Sequence, residues 1–327
     1  MRDYGSYSFW LSEVDDDLSP RPPLPKSIDV DVAVVGAGYT GLWTAYYLAK
    51  KDPQLRIAVI EKEIAGYGAS GRNGGWCSAL FAARREKVAK QHGRDAAVAL
   101  QRAMFDTIDE VGRVCKDEGI DAHFRKGGTV IAATNPAQLA RVKESVDSEH
   151  SWGFTDEDFM WLDEESARDR IDVAGCLGAA YTPHCAAIQP ARLARGLARV
   201  VEGLGVKLYE QTEAQSISRG KVSTKYGTVT GDVIVRATEG YTAGLPGSRR
   251  ALMPLYSLMI ATEPLPSSFW DEVSWNNGET FSDGRHLIIY AQRTADDRIA
   301  IGGRGAPYHF GSRVEEGFDR EPAVFRE

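Results

Sequence analysis

The residues best suited to chemistry are glycines. Gly36-Ala37-Gly38-Tyr39-Thr40-Gly41 follows the apolar, β-branched run Val30 to Val35. Leu42, Ala45, Leu48 and Ala49 then recur at helical spacing. A second apolar run, Ile57-Ala58-Val59-Ile60, closes on Glu61, 20 residues beyond Gly41. Strand, glycine turn, helix and acid in this order make a dinucleotide-binding fingerprint. Gly36 allows the tight turn, Gly38 lets backbone N–H groups approach a pyrophosphate at the helix N-terminus, and Gly41 lets helix and strand pack closely. Glu61 is suited to accept hydrogen bonds from both hydroxyls of an adenosine ribose. It would repel a 2′-phosphate, which disfavours NADP.

The loop that follows is equally marked. Gly66-Tyr67-Gly68-Ala69-Ser70-Gly71-Arg72-Asn73-Gly74-Gly75 holds five glycines in ten residues, with a hydroxyl, a guanidinium and an amide among them. Such a backbone comes close to a ligand, and those side chains suit phosphate and carbonyl oxygens. A loop wanting only flexibility has no need of Arg72, Asn73 and Trp76. The fingerprint alone leaves FAD and NAD open. An NAD-dependent dehydrogenase is the weaker alternative, because it gives the second loop no task.

The elements that position these residues follow from periodicity. Residues 30–35 and 57–60 read as buried parallel strands around a helix that stops at Asp52-Pro53. A long helix is predicted from Glu86 to Glu118, with the stripe Leu100, Met104, Ile108, Val111 and Cys115. Its basic start (Arg84, Arg85, Lys87, Lys90, Arg94) reads as a solvated face rather than a polyanion site. Phe124 to Thr134 reads as a strand kinked at Gly127-Gly128, and Pro136 to Ser148 as a helix. A second α/β passage starts at Pro190, with a helix to Leu204, a strand Val206 to Tyr209, and strands 222–226 and 228–235 around Gly227. Ala251 to Ala261 reads as a buried strand. Leu287 to Gln292 and Arg298 to Gly302 read as a hairpin turning at Thr294 to Asp297. Residues 1–27 form an arm, with Tyr4, Tyr7, Phe9 and Trp10 ahead of Pro20, Pro22, Pro23 and Pro25. The prolines favour an extended segment lying along the folded body, with a PxxP ligand for a partner as the second reading.

Composition narrows the class. The 327 residues carry 39 Lys+Arg against 46 Asp+Glu, a formal charge of −7, which argues against a nucleic-acid binder. No apolar run is long enough to span a bilayer, and Glu13 to Asp17 stands where a signal peptide needs an apolar core. Cys77, Cys115, Cys176 and Cys185 lack CxxC spacing, and the six histidines lack metal-ligand spacing. The cysteines read as reduced, cytoplasmic thiols, and no metal site is expected.

The sequence resembles the FAD-dependent oxidoreductases related to D-amino-acid oxidase and to glycine and sarcosine oxidases, and within them the gamma-glutamylputrescine oxidoreductase branch. The resemblance rests on Tyr7 to Leu11, the Val34 to Leu42 fingerprint, the Gly68 to Gly75 loop, Gln189-Pro190 opening a helix, and Ala237 to Thr242. It implies an α/β fold: a Rossmann-like FAD-binding domain of the glutathione-reductase and D-amino-acid oxidase type, with a mixed β-sheet substrate domain. The FAD domain is expected at 28–118 and 185–247, and the substrate domain at 119–184 and 248–327.

The resemblance also implies roles. Gly36, Gly38 and Gly41, with Tyr39 and Thr40 at the helix start, lie under the pyrophosphate. Glu61 and Lys62 hold the adenosine end, Gly68, Ala69 and Ser70 touch phosphate, and Arg72, Asn73, Gly74 and Gly75 run beside the isoalloxazine. Ala214 contacts adenine through its backbone, where valine is usual. Thr238 and Gly240 belong to a turn in which Glu239 replaces the more common asparagine, and the turn is expected to survive. The implied reaction oxidises the C–N bond of an amine or amino acid: hydride passes to flavin N5, the imine hydrolyses, and oxygen or another acceptor takes the electrons. Tyr256 and Arg304 are the catalytic candidates: the Tyr256 phenol to face the flavin, with a core tyrosine as the other reading, and Arg304 to bind a substrate carboxylate, with a surface ion pair as the other reading. In this family a final strand–glycine–helix signal closes the flavin site. None follows Gly302-Gly303-Arg304-Gly305, where the charged stretch Arg313 to Glu327 runs instead. The resemblance thus implies a chain truncated at its C-terminus, an incomplete substrate domain and weak or absent FAD binding. A non-catalytic flavoprotein fragment is the alternative.

Overall fold

The computed structural model describes residues 2–81, 83–304 and 314, with only the backbone at Arg304. The expectations placed on Gly305 and on Arg313 to Glu327 lie outside the described residues. The chain forms two compact units. The first takes the residues through Asn73 and Pro190–Tyr256; the second takes Gly74–Gln189 and the residues from Ser257.

The first unit is built on a six-stranded sheet. Its order is Lys207–Tyr209, Ile57–Ile60, Ile28–Val35, Gly227–Arg236, Lys221–Thr224, Ser216–Ser218. The first four strands are parallel and the last three antiparallel. The two central runs are apolar at nearly every position because both faces are covered. Val30, Ala33, Val35, Ala58, Ile60, Val222 and Val229 pack on one side with Leu24 of the arm. The helices Tyr39–Lys51 and Pro190–Gly203 follow the predicted spans closely.

The arm carries short helical turns ahead of its prolines. It opens with a 3-10 turn, Tyr4–Tyr7, and a helical turn, Phe9–Ser12, capped by Asp3 and Ser8. It lies along the unit, with Tyr4, Trp10, Leu11 and Leu24 buried. Arg21 and Leu24, inside the PxxP run, are anchored on Glu210 and Thr212.

The second unit holds a seven-stranded mixed sheet: Ser257–Ala261, Ile299–Arg304, Ile289–Arg293, Thr280–Asp283, Thr129–Ala132, Ala179–Thr182, Met160–Leu162. The predicted hairpin is its Ile289–Arg293 and Ile299–Arg304 pair. Trp76–Ser78 and Cys185–Ala187 form a separate antiparallel pair.

Four expectations are corrected. The long helix is two, Arg85–His92 and Arg94–Asp117, because Gly93 breaks the chain direction at φ +91°. The strand predicted from Phe124 is confined to Thr129–Ala132. Before it, Gly127 lies against the backbone of Gly278, closer than any Cβ would permit. The run from Ala251 is not a buried strand. Met253 is 59% exposed and Leu255 76%, and pairing starts only at Ser257. Residues 74–118 group with the second unit rather than with the fingerprint. Cys77, Met104, Phe105 and Ile108 pack there on Ala186 and Phe124, and Trp76–Ser78 pairs in the same unit.

No helix of the described residues is long and apolar enough to cross a membrane. Among them no group of His, Cys, Asp or Glu is arranged to hold a metal ion.

Candidate functional site

The site begins where the Ile28–Val35 strand ends. Gly36 turns the chain at φ +107°, and a Cβ there would stand 2.4 Å from the carbonyl oxygen of Ala237. A Cβ on Gly41 would stand 1.9 Å from the Gly36 oxygen, so only glycine lets the helix start against the strand. The helix is capped by Gly38, which brings no side chain of its own. Its first N–H, on Tyr39, donates to Ser70 Oγ at 2.9 Å. That hydroxyl comes from the second glycine loop, so the two loops meet over one helix N-terminus, where the dipole favours an anion.

A cleft of about 240 Å³ opens over this turn. Every described residue lining it lies between Val35 and Leu245. Gly36, Gly38, Tyr39, Thr40, Glu61, Lys62, Gly68, Ala69, Ser70, Ala214 and Thr238 all line it. Gly41 sits behind the wall as the packing glycine. Gly240 is buried in the Glu239–Gly244 turn and does not line the cleft. That turn survives the exchange of asparagine for glutamate, with Glu239 in the left-handed region at φ +39°. Thr238 Oγ1 and Thr242 Oγ1 hold it at 2.8 Å.

Glu61 ends the Ile57–Ile60 strand. One carboxylate oxygen accepts the Ala37 N–H at 2.8 Å and the other the Glu63 N–H at 2.9 Å. Burial pushes its pKa up to about 7. The two backbone donors oppose the rise, and the carboxylates of Glu210 and Glu63 add to it. Lys62 lines the cleft but pairs with Glu213 at 3.0 Å.

Arg72 is held by two tyrosines. Its guanidinium lies over the Tyr67 ring at 4.6 Å and donates to the Tyr241 hydroxyl at 3.1 Å. Asn73 closes the turn on itself, its amide donating to the carbonyls of Ala69 and Ser70. Neither residue lines the cleft. Gly74 and Gly75 belong to the second unit. A Cβ on Gly74 would meet the Tyr290 ring at 2.6 Å, and one on Gly75 would meet Gln292 Nε2 at 1.8 Å. Tyr256 is half-buried, one residue ahead of the Ser257–Ala261 strand, and does not line the cleft. Arg304 ends its strand paired with Ser257; its side chain lies outside the described residues.

Sequence reasoning missed Tyr67, Glu63, Thr212 and Tyr241 as wall residues. Tyr67 and Tyr241 sit inside or beside quoted motifs. Glu63 and Thr212 carry no local signal, since only the fold brings them to the wall.

The model of the family described as FAD dependent oxidoreductase matches residues 31–326. The chain belongs to this family. That match decides between the dinucleotides the fingerprint left open: the cofactor is FAD, and the NAD alternative falls. The glycine cradle, the helix without a side-chain cap and the acid at the strand end fit the ADP half of FAD. Gamma-glutamylputrescine oxidoreductase of Escherichia coli (strain K12) is 30% identical over 290 residues, which cover 87% of this chain and 67% of the relative. The probable oxidoreductase OrdL of Haemophilus influenzae is 29% identical over 290 residues, covering 86% and 66%. The chain thus spans about two thirds of the length of these curated relatives. Among solved structures, glycine oxidase from Geobacillus kaustophilus superposes with a TM-score of 0.63 at 23% identity, covering 86% of this chain and 73% of that one. L-proline dehydrogenase from P. horikoshii gives 0.63 at 17%, covering 93% and 75%. These likenesses show the α/β fold with mixed sheets.

Proposed function

We propose that this FAD-dependent oxidoreductase oxidises the C–N bond of an amine or amino acid. The observation that carries the cofactor half of this reading is the cleft over the Gly36–Gly41 turn, with the Glu61 carboxylate held against that turn by the Ala37 N–H. The substrate half is supported by the activities for which relatives are named: a gamma-glutamylputrescine oxidoreductase, and sarcosine oxidase beta subunits at 23–24% identity. Bound FAD supplies a two-electron acceptor for the hydride that leaves the carbon beside nitrogen.

The chain's own residues divide the remaining work. The Gly36–Gly41 turn and Ser70 hold pyrophosphate, Glu61 takes the ribose hydroxyls, and Ala214 meets adenine through its backbone. Thr238 and Gly240 keep the turn beside them, and the run from Arg72 to Gly75 keeps its place beside the isoalloxazine. Tyr256 is proposed to face the flavin, and Arg304 to bind a substrate carboxylate. The first unit, with residues 28–73 and 190–247, is assigned to FAD and the second to substrate. The four free cysteines, three of them buried, support a reducing cytoplasmic setting.

An absorbance spectrum of the purified protein tests the cofactor, and anaerobic bleaching by polyamines, N-acylated polyamines and amino acids tests the substrate. Bound flavin that no amine bleaches would refute the substrate class and favour the non-catalytic fragment.

A further inference from the structure

The N-terminal arm lines no part of the cleft, yet its polar contacts converge on the cleft's wall. The Trp10 indole N–H donates to the Asn73 carbonyl at 2.7 Å, with the ring 3% exposed. Asn73 in turn ties down the carbonyls of Ala69 and Ser70, and Ser70 holds the helix N-terminus. The Tyr4 hydroxyl donates to Glu63 Oε2 at 2.9 Å and accepts from Gln211 at 2.8 Å. Tyr4 and Tyr7 both pack edge-on against Tyr67, with ring centroids 5.8 and 5.4 Å away. The Leu24 N–H donates to Thr212 Oγ1 at 3.0 Å. Glu63, Tyr67, Ala69, Ser70 and Thr212 all line the cleft.

These contacts are more specific than packing alone requires. Both carboxylate oxygens of Glu63 are met by the arm. The arm supplies it with the Tyr4 hydroxyl and with Arg2, 2.9 Å from its other oxygen. The Ala69–Ser70 turn packs on the Pro190–Gly203 helix, and its anchor to the arm runs through Asn73 to Trp10. A loop that must keep one hydroxyl on a helix N-terminus is set by such second contacts, since a small drift loses a phosphate hydrogen bond.

We propose that the arm is a clasp on the FAD site, with Trp10 and Tyr4 as positioning residues that hold the phosphate-binding turn and Glu63 in place. The proposal rests on the FAD reading above. Affinity for FAD then depends on side chains that never touch it. A contact confined to the arm would loosen without harm: the Asp17 carboxylate accepts the Ser19 N–H at 2.8 Å, and neither residue lines the cleft.

The test uses the full chain and measures FAD dissociation constants by flavin fluorescence, alongside melting temperatures with and without FAD. Trp10→Phe is expected to weaken FAD binding about five- to tenfold and Tyr4→Phe about threefold, each from one lost hydrogen bond passed on to the turn. Asp17→Ala is expected to lower the melting temperature of the FAD-free chain while leaving FAD affinity unchanged. Both arm variants are expected to shrink the melting-temperature gain on adding FAD, which a merely structural role would leave intact. Should Trp10→Phe fold poorly, Tyr4→Phe removes only a hydroxyl and carries the test. Wild-type affinity in both variants, or an equal loss in Asp17→Ala, would overturn the clasp alone. Wild-type protein that takes up no FAD would overturn the cofactor reading and the clasp together.

Discussion

Glu61 makes FAD binding a function of pH. Its pKa stands at about 7 in the FAD-free chain because burial disfavours its charge, with Glu210 and Glu63 adding to the rise. Both of its oxygens already accept backbone N–H groups, from Ala37 and Glu63. A ribose hydroxyl is therefore best received by the ionised form, which has lone pairs to spare and no proton to misplace. If only that form holds the ribose, the competent fraction is about one in eleven at pH 6, one half at pH 7 and about ten in eleven at pH 8. FAD affinity should rise about tenfold from pH 6 to pH 8, equivalent to about 1.4 kcal/mol. Stability of the FAD-free chain moves the other way. A carboxyl whose pKa is raised on folding contributes stability in acid, and that contribution is lost as pH climbs from the ordinary carboxylate range through about 7. The FAD-free melting temperature should thus fall from pH 5 to 8 while the gain from FAD grows. Fluorescence titration at constant ionic strength, repeated with Glu61→Gln, measures this. The variant is expected to bind weakly at every pH, with the slope gone. A flat wild-type profile, or a slope that persists in Glu61→Gln, would refute the argument.

Three substitutions probe the frame around the site. Gly41→Ala puts a methyl 1.9 Å from the Gly36 oxygen and is expected to cost about 2–3 kcal/mol in urea denaturation and to abolish FAD uptake. Glu239→Asn relieves a left-handed φ of +39° in a residue poorly suited to it, and should stabilise the chain by about 1 kcal/mol on the same assay. Glu210→Gln strips the charge from a fully buried carboxylate bonded to the Ala65 and Arg21 N–H groups and to the Arg21 guanidinium. The loss should be about 3 kcal/mol, seen as a lower urea midpoint with unchanged slope.

The sequence revealed what short-range constraints decide. The Gly36–Gly41 turn, its flanking strands and Glu61 were legible because close approach and buried parallel pairing each demand particular residue types at fixed spacing. Long-range packing decided the rest. The stripe from Leu100 to Cys115 is a true helix face, but a stripe does not say that Gly93 will separate the preceding turns. The apolar Leu252 to Tyr256 looked like core, yet nothing local tells an apolar run that gains a neighbour from one that stays exposed. Arg72 looked free to meet a ligand. The two tyrosines that hold it, Tyr67 and Tyr241, are 174 residues apart in sequence and meet only through the fold.

Electrostatics explains why geometry matters so much at this cleft. Among the described residues lining it, Lys62 is the sole Lys or Arg and is already paired, while Glu61, Glu63, Glu213 and Glu239 share the wall. An anionic pyrophosphate entering such a site meets net repulsion from side chains. Attraction must come from oriented N–H groups at the Tyr39–Lys51 helix start, assisted by Ser70, and dipoles act only over short distances and in fixed directions. A site that relied on lysines would tolerate a displaced loop, because Coulomb attraction between charges falls off slowly. This one does not have that latitude. Its affinity should depend on whatever keeps the Ser70 turn and the helix N-terminus in register, which puts Asn73, Trp10 and the glycine contacts at Gly36 and Gly41 under the same constraint as the residues that touch FAD.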